Sequence, residues 1–212
     1  MIPIDTLEKF RGVLDAVKEM FPGSHPVIGG GALRDAFHGR PIKDVDVFLR
    51  NVDHSDLAHP YTKALVPPGV AEYACRSDMH GVWDITAPIH GFSVQLILAD
   101  FTNLTDLAGT FDLGFSRITF DGQDIYYHPD FVKDSAKQQI VIRRKDDNGT
   151  ISRSLRRVAR ISQKYIGWEV PDVPKCPCCK GIITPFRNTI SLKEYGISGL
   201  CQSCQDSVFG LD

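Results

Sequence analysis

The stretch "HPVIGGGALRDAFHGRPIKDVDVFL", His25–Leu49, places two aspartates one residue apart downstream of a glycine run. Its end, "DVDVFL", predicts a strand with Val45, Val47 and Leu49 on one face, which leaves Asp44 and Asp46 side by side on the other. Two ionised carboxylates this close repel unless a cation stands between them. Hard oxygen ligands at such spacing suit Mg²⁺, which keeps several waters and takes further ligands from substrate phosphates. Upstream, "PVIGG" predicts a short strand entering a glycine turn, and "ALRDAFHG" a helix closed by Gly39. Gly30 and Gly31 stand between that strand and that helix, where bare backbone N–H groups can approach a phosphate. Each motif alone is weak, since most Gly-Gly pairs are only turns. Together they form one β-turn-α-turn-β unit with a phosphate cradle and a metal clamp.

Working outward, Leu7, Phe10, Leu14 and Val17 recur at helical spacing, and "FPGSHP" ends that helix. "PGVAEYACRSD" reads as a short helix. "VWDIT" and "FSVQLIL" read as a hairpin joined by "APIHG", "TDLAGTFD" as a short helix, and "FSRITFDGQDIYYHP" as a second hairpin turning at Asp121-Gly122. In "ISRSLRRVARISQKYIGW" the apolar residues Ile151, Leu155, Val158, Ile161 and Tyr165 keep helical register and leave the arginines outward. "EVPDVPKCP" is a Pro-rich linker.

"GGALRDAFHG…KDVDVF" resembles the signature of the polymerase-β-type nucleotidyltransferase superfamily. The resemblance is to the head and neck of class II CCA-adding tRNA nucleotidyltransferases and bacterial poly(A) polymerases, and rests on Gly30, Gly31, Leu33, Arg34, Asp35, Asp44 and Asp46. It continues, in order, through "FDLGFSRITFDGQDIYYHP", with Asp112 on a motif aspartate, and through "LRRVARISQKYIGWEV", which resembles the neck helix; it spans about residues 25 to 170. It implies an α/β (α+β) fold with a mixed sheet and flanking helices. It also implies transfer of a nucleoside monophosphate from an NTP to a hydroxyl, with Asp44 and Asp46 catalytic and holding Mg²⁺, and with Gly30, Gly31, Arg34 and Asp112 binding the nucleotide. The acceptor it implies is an RNA or tRNA-like 3′ end.

Departures from the pattern are specific. Gln95 in "SVQLIL" stands where many members carry a third carboxylate. Thr110 and Phe111 replace a pair of nucleotide-contacting arginines, and Ser116 an asparagine. The base-reading motif before the neck helix falls on Thr150, Ile151 and Ser154, of which the isoleucine offers no hydrogen bond. Two alternatives follow: a protein-nucleotidylating regulator or toxin, and a catalytically reduced nucleic-acid-binding or interaction module.

The 212-residue chain has net charge −2. Between Lys137 and Tyr165, nine Lys/Arg face two Asp, giving +7 in an otherwise acidic chain. Arg153, Arg156, Arg157 and Arg160 are therefore candidates for nucleic-acid contact. Five of the six cysteines fall in the last 37 residues. Cys176-x-x-Cys179 and Cys201-x-x-Cys204 have the spacing of a structural Zn²⁺ site, a zinc ribbon in this reading, with Cys178 spare and a protein partner as one use for the module. The expected organisation is a catalytic domain at 1–136, a basic neck at 137–170 and a zinc module at 171–212. With no apolar run of 18 residues, the chain reads as soluble and cytoplasmic, without a membrane contact.

Overall fold

A computed structural model describes residues 1–52, 55, 57, 62–66, 79–143, 152–171 and 173–210, without the side chains of 63–66, 79, 152 and 153. The short helix expected at 68–78 lies outside them.

Helix α1 spans Ile4–Met20 and buries Phe10, Val13, Leu14 and Val17 along one stripe. Strand β1 (Val27–Gly29) leads into α2 (Gly31–Phe37), then β2 (Asp44–Leu49). Strands β3 (Thr62–Val66), β4 (Met79–Ile85) and β5 (Ser93–Ala99) follow, β4 and β5 forming the expected hairpin. After α3 (Leu104–Thr110) and a 3₁₀ turn at Gly114–Ser116 come β6 (Ile118–Phe120) and β7 (Ile125–Tyr127), the second hairpin, with Gly122 at φ +99° in its turn. Helix α4 (Pro129–Ala136), not anticipated from periodicity, starts with Pro129 in its first turn and His128 Nδ1 accepting the Asp130 N–H. Helices α5 (Ser152–Ser162), α6 (Thr189–Ser198) and α7 (Gln202–Phe209) complete the described elements.

The seven strands form one mixed sheet in the order β3-β4-β5-β2-β1-β6-β7, parallel only at β2–β5. Side-chain alternation gives it two faces. Val45, Val47, Leu49, Val94, Leu96, Trp83 and Ile85 join α1 and α2 in the main core. The opposite face is apolar in one half, where Phe48, Ile97 and Val82 pack with Leu107 and Phe111 from α3. A third cluster joins Leu113 and Phe115 to Val158, Ile161 and Tyr165, so the apolar stripe of α5 is anchored on the sheet domain. No helix of the described residues is long and apolar enough to cross a membrane.

Candidate functional site

On its second face the sheet changes from apolar to polar within one residue step. The row Phe48–Ile97–Val82 is covered by α3, and two residues away along the strands lies the row Asp46–Gln95–Asp84. Continuing the β1–β2 ladder, in which Val27 pairs with Phe48, puts Gly29 opposite Asp46. Asp44 shares this face, one pleat nearer the start of β2.

Burial, and then the neighbouring Asp44 charge, raise the Asp46 carboxyl from its ordinary value to about 6, against the opposing fields of Arg157, Arg34 and Lys43. No hydrogen bond or ion pair from the described residues reaches Asp46. Among the described residues Asp44 is met by Lys43, 3.3 Å away, whose side chain is 84% exposed and free to swing off. The two carboxylates are thus crowded on one strand face, and each disfavours the other's ionisation. Hard oxygens on one strand face fit Mg²⁺.

The glycine turn divides its tasks differently from the expected cradle. Gly30 has φ +74° and caps α2, and its N–H donates to Ile118 O at 3.0 Å. The Gly31 N–H, in the first turn of α2, has no partner among the described residues. Gly29 is required for packing: a Cβ there would stand 2.6 Å from Phe111 Cζ. Phe111 stacks on Phe48 with ring centroids 5.4 Å apart, so this position seals the turn from below.

Arg34 is held within the fold. It is 7% exposed, its guanidinium donating to Asp35 Oδ1 (2.8 Å), Ser116 Oγ (3.0 Å) and Tyr165 Oη (3.3 Å), with Phe115 and Tyr165 rings beside it. Asp35 also accepts from Tyr165 and Lys164. Arg34 therefore ties α2 to the segment after α5 and reaches the site only through its field on Asp46. Asp112 likewise faces α5: Ser154 Oγ donates to its Oδ2 at 2.7 Å and Arg157 to its Oδ1. The base-reading position Ser154 is 1% exposed and serves this joint. Of the four arginines expected to meet nucleic acid, Arg157 holds Asp112, Arg156 and Arg160 point outward, and the Arg153 side chain lies outside the described residues, as do Thr150 and Ile151.

Asp84 was missed in the sequence. It accepts from Gln95 Nε2 at 3.0 Å and extends the polar row one strand beyond Gln95. The signal was an acid between buried Trp83 and Ile85, but only the β4–β5 register brings it to this face.

At the other end of the chain, Cys176, Cys179, Cys201 and Cys204 place their sulfurs within 4.8 Å of one another, Cys179 and Cys201 at 3.6 Å. Tetrahedral Zn–S bonds of ~2.3 Å require S···S of about 3.8 Å, whereas a disulfide requires about 2 Å. The Cys201 N–H donates to Cys176 Sγ, and with neighbouring amides lowers that thiol to about 6, while the surrounding sulfurs push Cys204 up. The cluster tolerates several thiolates only with a cation among them, and is compatible with a zinc ribbon. Helix α6 lies between the two knuckles. In the first knuckle the left-handed residue is Lys180 (φ +60°), and a Cβ on the following Gly181 would stand 3.2 Å from Cys179 Sγ.

A family model described as Gad2, Gabija anti-defense 2 family protein, matches residues 7–138. No curated protein matches the sequence. Among solved structures, one titled "tRNA-processing enzyme (apo form I)" is 17% identical, with TM-score 0.53, over 81% of this chain and 45% of its own. The Bacillus stearothermophilus CCA-adding enzyme in complex with CTP is 17% identical, TM-score 0.50, over 79% and 41%. Another CCA-adding enzyme, an apo form, is 11% identical, TM-score 0.53, over 80% and 40%. The fold is thus that of nucleotidyltransferases, and the chain spans less than half the length of these structures.

Proposed function

The chain belongs to the Gabija anti-defense 2 family, and from that premise and its nucleotidyltransferase fold we propose that it transfers a nucleoside monophosphate from an NTP to a hydroxyl acceptor. The single observation that carries this reading is the Asp44–Asp46 pair, crowded on one strand face with Asp46 left unpartnered. A structural carboxylate is usually held by an arginine or amide partner; among the described residues Asp46 has none, and Asp44 has only the exposed Lys43. Mg²⁺ bound there would lower the pKa of the acceptor hydroxyl and neutralise the triphosphate and departing pyrophosphate. Asp44 and Asp46 would hold it, the Gly31 N–H would be available to a phosphate, and the fields of Arg157 and Arg34 favour negative charge at Asp46.

The favoured acceptor is an RNA or tRNA-like 3′ end, in the cytoplasm, where clustered thiols stay reduced. Arg156 and Arg160, outward on α5 in the most basic segment of the chain, support contact with phosphates. In this reading 1–136 is the catalytic unit, 137–170 the basic neck, and 171–212 a Zn²⁺-stapled module available to nucleic acid or a protein partner. A second reading has a protein acceptor within the Gabija defense. The family description favours it, as does the engagement of Ser154 with Asp112 in the α5 joint, which occupies one of the three base-reading positions.

Full-length protein with Mg²⁺, labelled NTPs and an RNA pool should give labelled RNA, and Asp44→Ala with Asp46→Ala should abolish it. Label on an added Gabija protein instead would favour the second reading. Labelling that survives the double substitution overturns both.

A further inference from the structure

The polar row contains a device the carboxylate pair alone does not explain. Gln95 stands between two acids on the same face, with Asp46 across one strand gap and Asp84 across the other. A carboxylate accepts and cannot donate, so the end of Gln95 facing Asp84 at 3.0 Å must be its NH₂. The carboxamide oxygen is thereby left for a partner other than Asp84, and Asp46 stands on the neighbouring strand at the other side. Were Asp84 apolar, the amide would be free to rotate and present its NH₂ to the cation site, repelling it.

We propose that Gln95, oriented by Asp84, supplies a third oxygen ligand to the divalent cation held by Asp44 and Asp46. A carboxamide oxygen is a legitimate hard donor. The charge of Asp84 on the amide N–H polarises the group and makes that oxygen more basic, as outer partners do for metal ligands generally. Asp84 itself does not coordinate: two strand gaps of about 4.8 Å separate its backbone from that of Asp46. It is a positioning residue, and Gln95 the ligand. The site then combines two full charges with one oriented dipole, in place of the third carboxylate expected at residue 95.

The inference rests on the metal-dependent reading above, and its test separates the two. Mn²⁺ binding to the zinc-loaded full chain, with a non-hydrolysable NTP present, is measured by loss of the free-ion EPR signal for wild type, Gln95→Leu, Asp84→Asn and the double variant. Melting curves establish that each is folded. Gln95→Leu and Asp84→Asn should each weaken Mn²⁺ by about tenfold, the lower end of outer-partner effects. The double variant should bind no worse than Gln95→Leu, because Asp84 acts through residue 95. Wild-type affinity in Gln95→Leu overturns the ligand; a further loss on adding Asp84→Asn to Gln95→Leu shows a plain charge effect and overturns the positioning role. Absence of Mn²⁺ binding by wild type, or binding that survives Asp44→Asn with Asp46→Asn, overturns the metal site itself and the proposed function with it.

Discussion

Replacing Asp46 with asparagine should stabilise the Mg²⁺-free protein while destroying its site. The Asp46 carboxyl lies at about 6 in the fold against 3.8 ordinarily, through burial and the Asp44 charge. At 1.36 kcal/mol per pKa unit, ionising it in the folded chain costs up to roughly 3 kcal/mol. The side chain is only half-buried, so solvent screening reduces this to about 1–2 kcal/mol. The sign follows from linkage: between about 4 and 6 the folded state holds a proton the unfolded state has released, so stability falls as pH rises through that window. Above about 6 the full penalty is present; below about 4 it is gone. Asp46→Asn removes the charge and should raise the melting temperature at pH 8 by ~2–8 °C, given about 2–4 °C per kcal/mol for a chain of this size. At pH 4 the gain should vanish. Thermal unfolding read from tryptophan fluorescence suits the purpose, since Trp83 lies in the main core. Both proteins are to be compared at each pH with no added Mg²⁺. Added Mg²⁺ with an NTP should then raise the wild type and leave the variant unmoved. No gain at pH 8, or an equal gain at both pH values, would refute the claim that the carboxylate pair stands in mutual repulsion.

Three further outcomes are expected. Arg34→Ala removes one of the buried partners of Asp35, leaving Lys164 and Tyr165, and should cost about 1–3 kcal/mol in denaturant unfolding, with Arg34→Lys a poor rescue because one ammonium cannot serve Asp35, Ser116 and Tyr165 together. Gly29→Ala drives a methyl group into Phe111 and should cost about 1–3 kcal/mol, whereas Gly31→Ala, whose nearest neighbour is Arg34 Nη2 at 3.7 Å, should melt like the wild type. Chelation should release about one Zn²⁺ per chain and make the segment beyond residue 173 protease-sensitive while the sheet domain resists, with Cys179→Ser reproducing the effect without chelator.

The sequence by itself determined whatever depends on local periodicity. Strand alternation put Asp44 and Asp46 on one face, the 3.6-residue repeat gave α1 and α5 their buried stripes, and two Cys-x-x-Cys knuckles announced a four-sulfur cluster. Each follows from backbone geometry over a few residues, so no distant contact was needed to read it. Tertiary structure decided what crosses the sheet or the chain. Asp84 joins the site only because β4 pairs with β5 in one register, and a one-residue slip would turn it into the main core. Asp112 meets Ser154 and Arg157 across more than forty residues, and Arg34 meets Tyr165 across 131. Motif positions that resembled nucleotide contacts became struts because their partners arrive from elements no local pattern can place. Gly29, adjacent to the expected pair of glycines, is needed for the aromatic ring beneath it. Spacing along the chain fixes which side chains share a face; only the register and docking of whole elements fix what each one faces.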